Sequence, residues 1–184
     1  MIEYNRHYPD GSLDYKYTYK YDSTGNKIEQ NEYNKKNGNF DKQYTYKYDN
    51  NGNMVEQNWQ KKGDKNFWRL YTYKYDSVGN KIEQIGYLHD GTIDEKITYK
   101  YDANGNEIEE QQYHSKGSLS LKYISKYDVY GNKIEYSAYN AYGSIHGASS
   151  ISKYTYDNKF NWIKLVVFSG NKLISTSERE IEYF

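Results

Sequence analysis

The sequence lacks cysteine, has a single proline and contains no long apolar run. Without cysteine there are neither disulfides nor cysteine metal sites, and this absence fits any compartment. No segment of about 18 apolar residues occurs, so we expect no membrane-spanning helix. The first residues, MIEYNRHYPDG, contain no apolar h-region and therefore do not predict a signal peptide.

An excess of charge of one sign is also missing, since Lys plus Arg is 25 and Asp plus Glu is 25. Proteins that bind nucleic acid by neutralising phosphates have a basic excess, so the composition disfavours nucleic acid as a partner. Only 36% of residues are hydrophobic, and 26 of these are tyrosine. Zero net charge and 18% aromatics argue against disorder. The tyrosines predict a shallow core of aromatic rings whose hydroxyls remain exposed to solvent.

What the sequence does contain is one segment that recurs along its whole length. YDSTGNKIEQ begins at Tyr21. Similar segments begin at Tyr48, Tyr75, Tyr101 and Tyr127, and a degenerate copy begins at Tyr156. A repeat of about 27 residues indicates one supersecondary unit stacked on copies of itself. We therefore predict a single array over residues 1–184, with a C-terminal capping unit from Tyr156.

Each copy of the segment predicts a β-hairpin. Residues 43–48, QYTYKY, alternate polar and aromatic side chains as a strand does, and residues 54–59 form the return strand. The intervening DNNGN is rich in turn formers, and Gly52 is expected at positive φ because glycine adopts that conformation at low cost. Phe160 replaces this glycine in the last copy, which predicts a different turn there.

A four-residue loop fixes the expected register of every hairpin. It places lysine opposite glutamate and tyrosine opposite isoleucine or valine, as in Lys47–Glu56 and Tyr48–Val55. The same rule pairs Lys20 with Glu29, Lys74 with Glu83, Lys100 with Glu109 and Lys126 with Glu135, and it pairs Tyr21, Tyr75, Tyr101 and Tyr127 with Ile28, Ile82, Ile108 and Ile134. One face of the sheet then carries tyrosines and is expected to face the core, whereas the lysine–glutamate rows are solvated.

The two ends of the sequence are in phase with the repeat. Ile2 and Glu3 align with a return strand, and Tyr183 predicts a final strand near residues 176–183. The predicted fold is all-β, with fourteen strands in an elongated, twisted array of about seven tandem antiparallel hairpins and little or no helix. The first strand leaves an open edge. Either a longer protein supplies more repeats at this edge, or the edge pairs with another subunit.

The segments YDANGNEI and YDSTGNKI, each preceded by TYK, resemble the YD repeat of the Rhs family, and the resemblance covers nearly all of residues 1–184. It implies hairpins joined into a spiralling sheet in secreted, cell-surface or toxin-delivery proteins of bacteria. It also implies that the repeats bind carbohydrate or enclose a toxic payload. Because no self-cleaving core or toxin domain is visible, the sequence is most similar to short stand-alone YD-repeat proteins.

The tyrosine rows allow two interpretations. They either only build the sheet, or they also form a platform on which sugar rings stack. If such a platform exists, the expected ligand-binding residues are Trp59, Trp68, Tyr113, Tyr139, Tyr46 and Tyr73. Glycan is therefore the preferred partner, and other repeats or subunits at the N-terminal sheet edge are the second.

Metal binding and catalysis find little support in the sequence. The turn containing Asp49 has its glycine misplaced for a calcium loop, and the four histidines occupy non-equivalent repeat positions. Carboxylate pairs such as Glu109–Glu110 lack an evident cleft, and there is no nucleophile elbow. We therefore expect a non-catalytic binding module without a cofactor, outside the bacterial cytoplasm. A structural or assembly scaffold is the alternative, followed by a glycan-active enzyme.

Overall fold

The structure is a computed structural model that describes residues 1–33, 40–61, 63–147 and 149–183. All regular structure in these residues is β, with fourteen strands that follow one another in the sheet in chain order. This confirms the predicted all-β array of antiparallel hairpins and its fourteen strands. The described residues accordingly include no helix that could cross a membrane.

The chain divides into two compact units, Met1–Lys96 (unit 1) and Ile97–Phe184 (unit 2), with the boundary inside strand β8. The strands up to the boundary are β1 (Ile2–His7), β2 (Leu13–Tyr21), β3 (Lys27–Tyr33), β4 (Phe40–Tyr48), β5 (Met54–Lys61), β6 (Asp64–Tyr75), β7 (Lys81–Tyr87) and β8 (Ile93–Tyr101). Those after it are β9 (Glu107–Tyr113), β10 (Leu119–Tyr127), β11 (Lys133–Asn140), β12 (Ser150–Tyr156), β13 (Trp162–Ser169) and β14 (Lys172–Glu178).

The hairpin turns share one set of backbone hydrogen bonds. In the first turn the Asp22 amide donates to the Asn26 carbonyl at 2.9 Å, and the Gly25 amide donates to the Asp22 carbonyl at 3.3 Å. Gly25 has φ 91°, and the equivalent Gly52, Gly79, Gly105 and Gly131 are also positive. This is the three-residue hairpin loop that ends in a left-handed residue, and it confirms the expected role of the turn glycine.

Phe160 adopts the same turn, so the prediction of a different turn in the last copy is wrong. Its φ is 63°, and its amide donates to the Asp157 carbonyl at 3.2 Å. The Asp157 amide donates to the Asn161 carbonyl at 2.9 Å, as in the glycine-containing turns. The Asp and Asn bonds therefore impose the left-handed conformation on a bulky residue, at a cost of about 1–2 kcal/mol.

The lysine–glutamate part of the predicted register is confirmed, but the tyrosine–isoleucine part is wrong. Lys20 lies opposite Glu29, whereas Tyr21 lies opposite Lys27 because a β-bulge separates the two pairs. The turn bonds close a loop of three residues instead of the expected four, so the return strand pairs one residue earlier and the bulge leaves Ile28 with no residue directly opposite. The same shift pairs Tyr48 with Met54, Tyr75 with Lys81 and Tyr127 with Lys133.

The final strand differs from its expected position at residues 176–183. Strand β14 ends at Glu178, whose carboxylate contacts Lys164 at 2.6 Å. The Arg179 amide still donates to the Ile163 carbonyl at 3.0 Å, and residues 180–183 then have no regular structure. Beyond the strand, the Tyr183 hydroxyl donates to the carboxylate of Asp157 in the preceding turn.

Burial is shared between the two faces of the sheet. We call the face that carries Tyr17 and Tyr19 the tyrosine face, and the face that carries Thr18 and Lys20 the lysine face. Residues at the equivalent positions of the other copies are assigned to the same two faces. No large side chain among the described residues is fully buried, and the one buried hydrophobic side chain there is Ala138, 5% exposed, on the tyrosine face. Thr18 is buried on the lysine face. The tyrosine face is therefore not a closed core.

Candidate functional site

In the second, third and fifth copies, the first tyrosine links its hairpin to the preceding hairpin. The hydroxyl donates to the backbone carbonyl of the residue that follows the preceding turn. The bonds run from Tyr48 to Lys27 (2.9 Å), from Tyr75 to Met54 (2.8 Å) and from Tyr127 to Glu107 (3.0 Å). We call these residues, with Tyr156 and Tyr183 described next, the locking tyrosines. Because each ring packs at one hairpin and its hydroxyl bonds to another, it fixes the spacing of the two.

The last two locking tyrosines bond to the side chains of the preceding turn instead of its backbone. The Tyr156 hydroxyl donates to Asp128 and accepts from Asn132 Nδ2 at 2.8 Å. Burial and then the Asp128 carboxylate raise the pKa of Tyr156 to about 12. Tyr183 makes the same pair of bonds with Asp157 and Asn161 of its preceding turn. The tyrosine–aspartate signature of the repeat thus connects copies as well as forming turns.

The turn aspartates are satisfied inside their own turns. Asp76 Oδ1 accepts from the amides of Val78 (3.0 Å) and Asn80 (2.9 Å), and Oδ2 accepts from Asn80 Nδ2 at 3.0 Å. The backbone amide of Asn80, followed by its side chain, holds the pKa of Asp76 below its ordinary value. Within the residues that the structure describes, no three histidine, aspartate or glutamate side chains are placed to hold a metal ion.

The lysine face carries ion pairs between strands. Glu83 lies between Lys74 at 2.7 Å and Lys96 at 2.8 Å, and its side chain is 15% exposed. Bonds from Lys74 and then Lys96 lower the pKa of Glu83. Glu109 has two lysine partners in the same arrangement. These carboxylates are therefore held ionised by structural partners.

The two tryptophans expected in a sugar platform lie on opposite faces of unit 1. Trp59 is opposite Tyr44 on the tyrosine face, with ring centroids 6.3 Å apart. Trp68 is opposite Gln60 on the lysine face. One flat ligand cannot contact both rings, so the structure does not bring them together.

Tyr46 and Tyr73 occupy equivalent places on the tyrosine face and are partly covered by neighbours. The Tyr73 hydroxyl donates to Gln57 Oε1 at 3.3 Å, and Lys27 Nζ lies 4.9 Å from the centre of the Tyr46 ring. Burial raises the pKa of both tyrosines to about 12. The covered rings fit a structural role for these two residues.

Tyr113 and Tyr139 lie on the lysine face of unit 2, and they are regular members of the repeat. Tyr139 is opposite Lys122, and the Tyr113 hydroxyl donates to Gln111. Each follows a lysine-paired glutamate by four residues, as do Tyr33 and Tyr87 in unit 1. The two tyrosines therefore occupy a recurring position of the repeat, and the glutamate–tyrosine spacing is the sequence signal that shows it.

A continuous strip of tyrosine rings in unit 1 was not singled out from the sequence. Tyr4, Tyr15, Tyr17 and Tyr19 follow one another on the tyrosine face, with successive centroid distances of 5.9, 5.3 and 6.2 Å. Tyr4 is 48% exposed, and the Arg6 guanidinium lies 4.8 Å from the centre of the Tyr15 ring. The alternation of tyrosines in β2 is the signal that could have identified this strip.

No protein-family model matches this chain, and no curated protein matches it. Similar solved structures are TcdB2-TccC3-Cdc42 (TM-score 0.51, 15% identity), TcdB2-TccC3-TEV (0.50, 16%) and TcdB2-TccC3 without its hypervariable C-terminal region (0.50, 15%). Each match covers 90% of this chain and 10% of the other, so this chain spans about a tenth of those chains. At this identity the likeness concerns the fold alone, and it is consistent with an Rhs/YD-like β-repeat fold.

Proposed function

We propose that this chain is a non-catalytic structural module, a β-repeat scaffold that joins other protein subunits. The observation that carries this proposal is the set of locking tyrosines, whose hydroxyls connect one hairpin to the next. The defining residues of the repeat are thus used to hold the array together. The fold neighbours support the proposal, since names such as TcdB2-TccC3-Cdc42 join more than one protein.

Secretion or exposure at a bacterial cell surface belongs to the same proposal. The support is the sequence resemblance to Rhs-type repeats together with the fold likeness to TcdB2-TccC3. Fractionation of the source cells tests it directly. Recovery of the chain in the medium or in the surface fraction is expected, and recovery in the cytosol alone contradicts it.

The absence of catalysis is also part of the proposal. A general acid that works near neutral pH needs a raised carboxyl pKa, as in glycoside hydrolysis. In contrast, the pKa values of Asp76 and Glu83 are lowered by their structural partners. We expect no turnover of chromogenic glycosides, and a turnover that is lost on substituting one of these carboxylates would contradict the proposal.

Carbohydrate binding is the second candidate function. The tyrosine strip Tyr4–Tyr15–Tyr17–Tyr19 favours it, because partly exposed rings in series offer stacking surfaces to sugar rings. Trp59 lies on the same face of unit 1, whereas Trp68 lies on the other. A glycan would therefore contact the tyrosine face with Trp59 and not with Trp68.

A carbohydrate array separates the two candidates. The scaffold function predicts no saturable glycan signal for the wild-type chain or for Trp59→Ala. Carbohydrate binding instead predicts a signal that falls in Trp59→Ala and is retained in Trp68→Ala, the matched control on the opposite face. The latter result would replace the scaffold as the main function. Far-UV circular dichroism of both variants establishes that they are folded.

A further inference from the structure

Hairpin partners on the lysine face follow a two-residue pattern. In the first hairpin Lys20 lies opposite Glu29, and Thr18 lies opposite Asn31. The second hairpin repeats this with Lys47 opposite Glu56 and Thr45 opposite Asn58. A return strand that carries Glu-x-Asn is thus paired with an outgoing strand that carries Thr-x-Lys.

Side-chain contacts explain why these residues are matched. Lys20 Nζ lies 2.9 Å from Glu29 Oε1, and Asn31 Nδ2 donates to both Thr18 Oγ1 (3.2 Å) and Glu29 Oε1 (2.8 Å). Every one of the five hairpins with this lysine has the ion pair, at 2.9, 2.8, 2.7, 2.7 and 2.6 Å in chain order. The lysine of the outgoing strand is therefore a constant partner of the glutamate.

Strand β1 carries the same Glu-x-Asn pattern at an edge of the sheet of unit 1. Glu3 contacts Lys16 of β2 at 2.8 Å, and the Asn5 side chain donates to Glu3 Oε1 at 2.7 Å, as Asn31 does to Glu29. Across the described residues, no lysine contacts Glu3 from the side away from β2. Its side chain is 45% exposed, whereas Glu83, with lysines on both sides, is far less so.

We propose that the outer edge of β1 binds an extended segment of another protein that carries Thr-x-Lys with aromatic residues at alternate positions. The segment adds to the sheet as an antiparallel strand, with its lysine at Glu3 and its threonine at Asn5. The aromatic residue between them lies beside Tyr4, whose ring is half exposed. This inference rests on the proposed scaffold function and specifies the chemistry of its partner.

A second copy of this chain does not supply such a strand. Strand β1 contains no lysine, which excludes pairing of two β1 edges by this pattern. In β14, Glu178 lies opposite Lys164 as Thr45 lies opposite Glu29, so Glu178 stands where threonine is needed. Glu180, two residues beyond the end of β14, occupies the sequence position where lysine is needed. Glu180 would face Glu3, and like charges directly opposite each other are destabilising. A second copy is therefore not the partner that we propose.

A peptide of the chain's own outgoing strand is a suitable probe, because it contains the pattern. Fluorescein-labelled QYTYKYD, residues 43–49, is titrated with the 184-residue chain and followed by fluorescence anisotropy. We expect saturable binding that weakens about fivefold when the peptide carries Lys47→Glu, and about fivefold when the protein carries Glu3→Lys. Combining both reversals restores binding. Glu180→Lys in the protein is the control and leaves binding unchanged.

Three results overturn the inference: no saturable binding at millimolar protein, binding that ignores both charge reversals, or self-association of the chain that depends on Glu3. Glu3→Gln serves in place of Glu3→Lys if circular dichroism shows that the latter does not fold, and a smaller loss is then expected. If the peptide does not bind and the carbohydrate array gives no signal, the proposed edge partner is contradicted but the scaffold function is not. A carbohydrate-array signal that is lost in Trp59→Ala contradicts the scaffold function, whether or not the peptide binds.

Discussion

At Gly86 the backbone of β7 passes so close to its neighbours that a side chain does not fit. A Cβ atom there would lie 2.9 Å from Tyr71 Cε1 and 3.0 Å from Glu95 Cγ. We predict that Gly86→Ala lowers the free energy of unfolding by about 1–3 kcal/mol, because the Tyr71 ring must move. Urea denaturation measures the loss, and near-ultraviolet circular dichroism reports the displaced ring.

Gly52→Ala is the matched control for that prediction. A Cβ at Gly52 meets nothing within 4 Å, but its φ is +83°. We expect a loss of about 1 kcal/mol from backbone strain alone, with unchanged near-ultraviolet signals. Equal spectral changes in the two variants would contradict the steric explanation for Gly86.

The turn aspartates make the fold sensitive to acid. Chiefly through the Asn80 amide, the folded state lowers the pKa of Asp76 below its ordinary value of 3.8. The ionised carboxylate thus contributes stability above about pH 4, and the contribution is lost as the pH falls through the lowered folded value. In Asp76→Asn the side-chain oxygen still accepts the turn amides but does not titrate. We predict a shallower loss of urea midpoint below pH 4 in this variant, and parallel curves would contradict the assignment.

Residue-level features were predictable from the sequence where one local rule decides them. The positive φ of Gly52 follows from turn chemistry that needs no partner. Phe160 was mispredicted because the Asp157 and Asn161 bonds outweigh the preference of a bulky residue. The opposite faces of Trp59 and Trp68 follow from strand alternation and pairing, which aromatic content alone does not reveal.

At the scale of strands, the ion pairs of the lysine face differ in their number of partners. Among the described residues, Glu83 contacts two lysines, whereas Glu56 contacts one, Lys47. We predict that Glu83→Gln costs about 1 kcal/mol and Glu56→Gln about half of that. Urea denaturation in low salt and in 1 M NaCl checks this, because salt should narrow the difference. Equal costs at low salt would contradict the two-lysine arrangement.

The register shows how far strand pairing can be inferred from repeat copies. Lysine and glutamate recur together in five copies, and their pairing was predicted because opposite charges constrain it. Tyr21 was assigned to Ile28 because a loop without a bulge was assumed. The bulge depends on how the turn bonds close at Asp22 and Asn26, which hydrophobic alternation does not reveal.

For the whole molecule, strand–strand contacts in the described residues join strands that are adjacent in the chain. Stability in such an array is a sum of local hairpin and nearest-neighbour terms. We predict that Gly52→Ala increases amide hydrogen exchange most in β4 and β5, less in β3 and β6, and not in β12–β14. Hydrogen-exchange mass spectrometry at neutral pH measures this. A uniform increase along the chain would show that the array unfolds as one cooperative body.

The array depends on connections between hairpins, and the locking tyrosines test this most directly. Tyr48 and Tyr75 donate to the preceding hairpin, whereas the Tyr21 hydroxyl, in a ring that is 44% exposed, has no hydrogen bond in the described part of the chain. Urea denaturation of Tyr48→Phe, Tyr75→Phe and Tyr21→Phe compares them. We predict losses of about 1 kcal/mol for the first two and under about 0.5 kcal/mol for Tyr21→Phe. Equal unfolding midpoints for all three variants would contradict the claim that these hydroxyls hold the scaffold together.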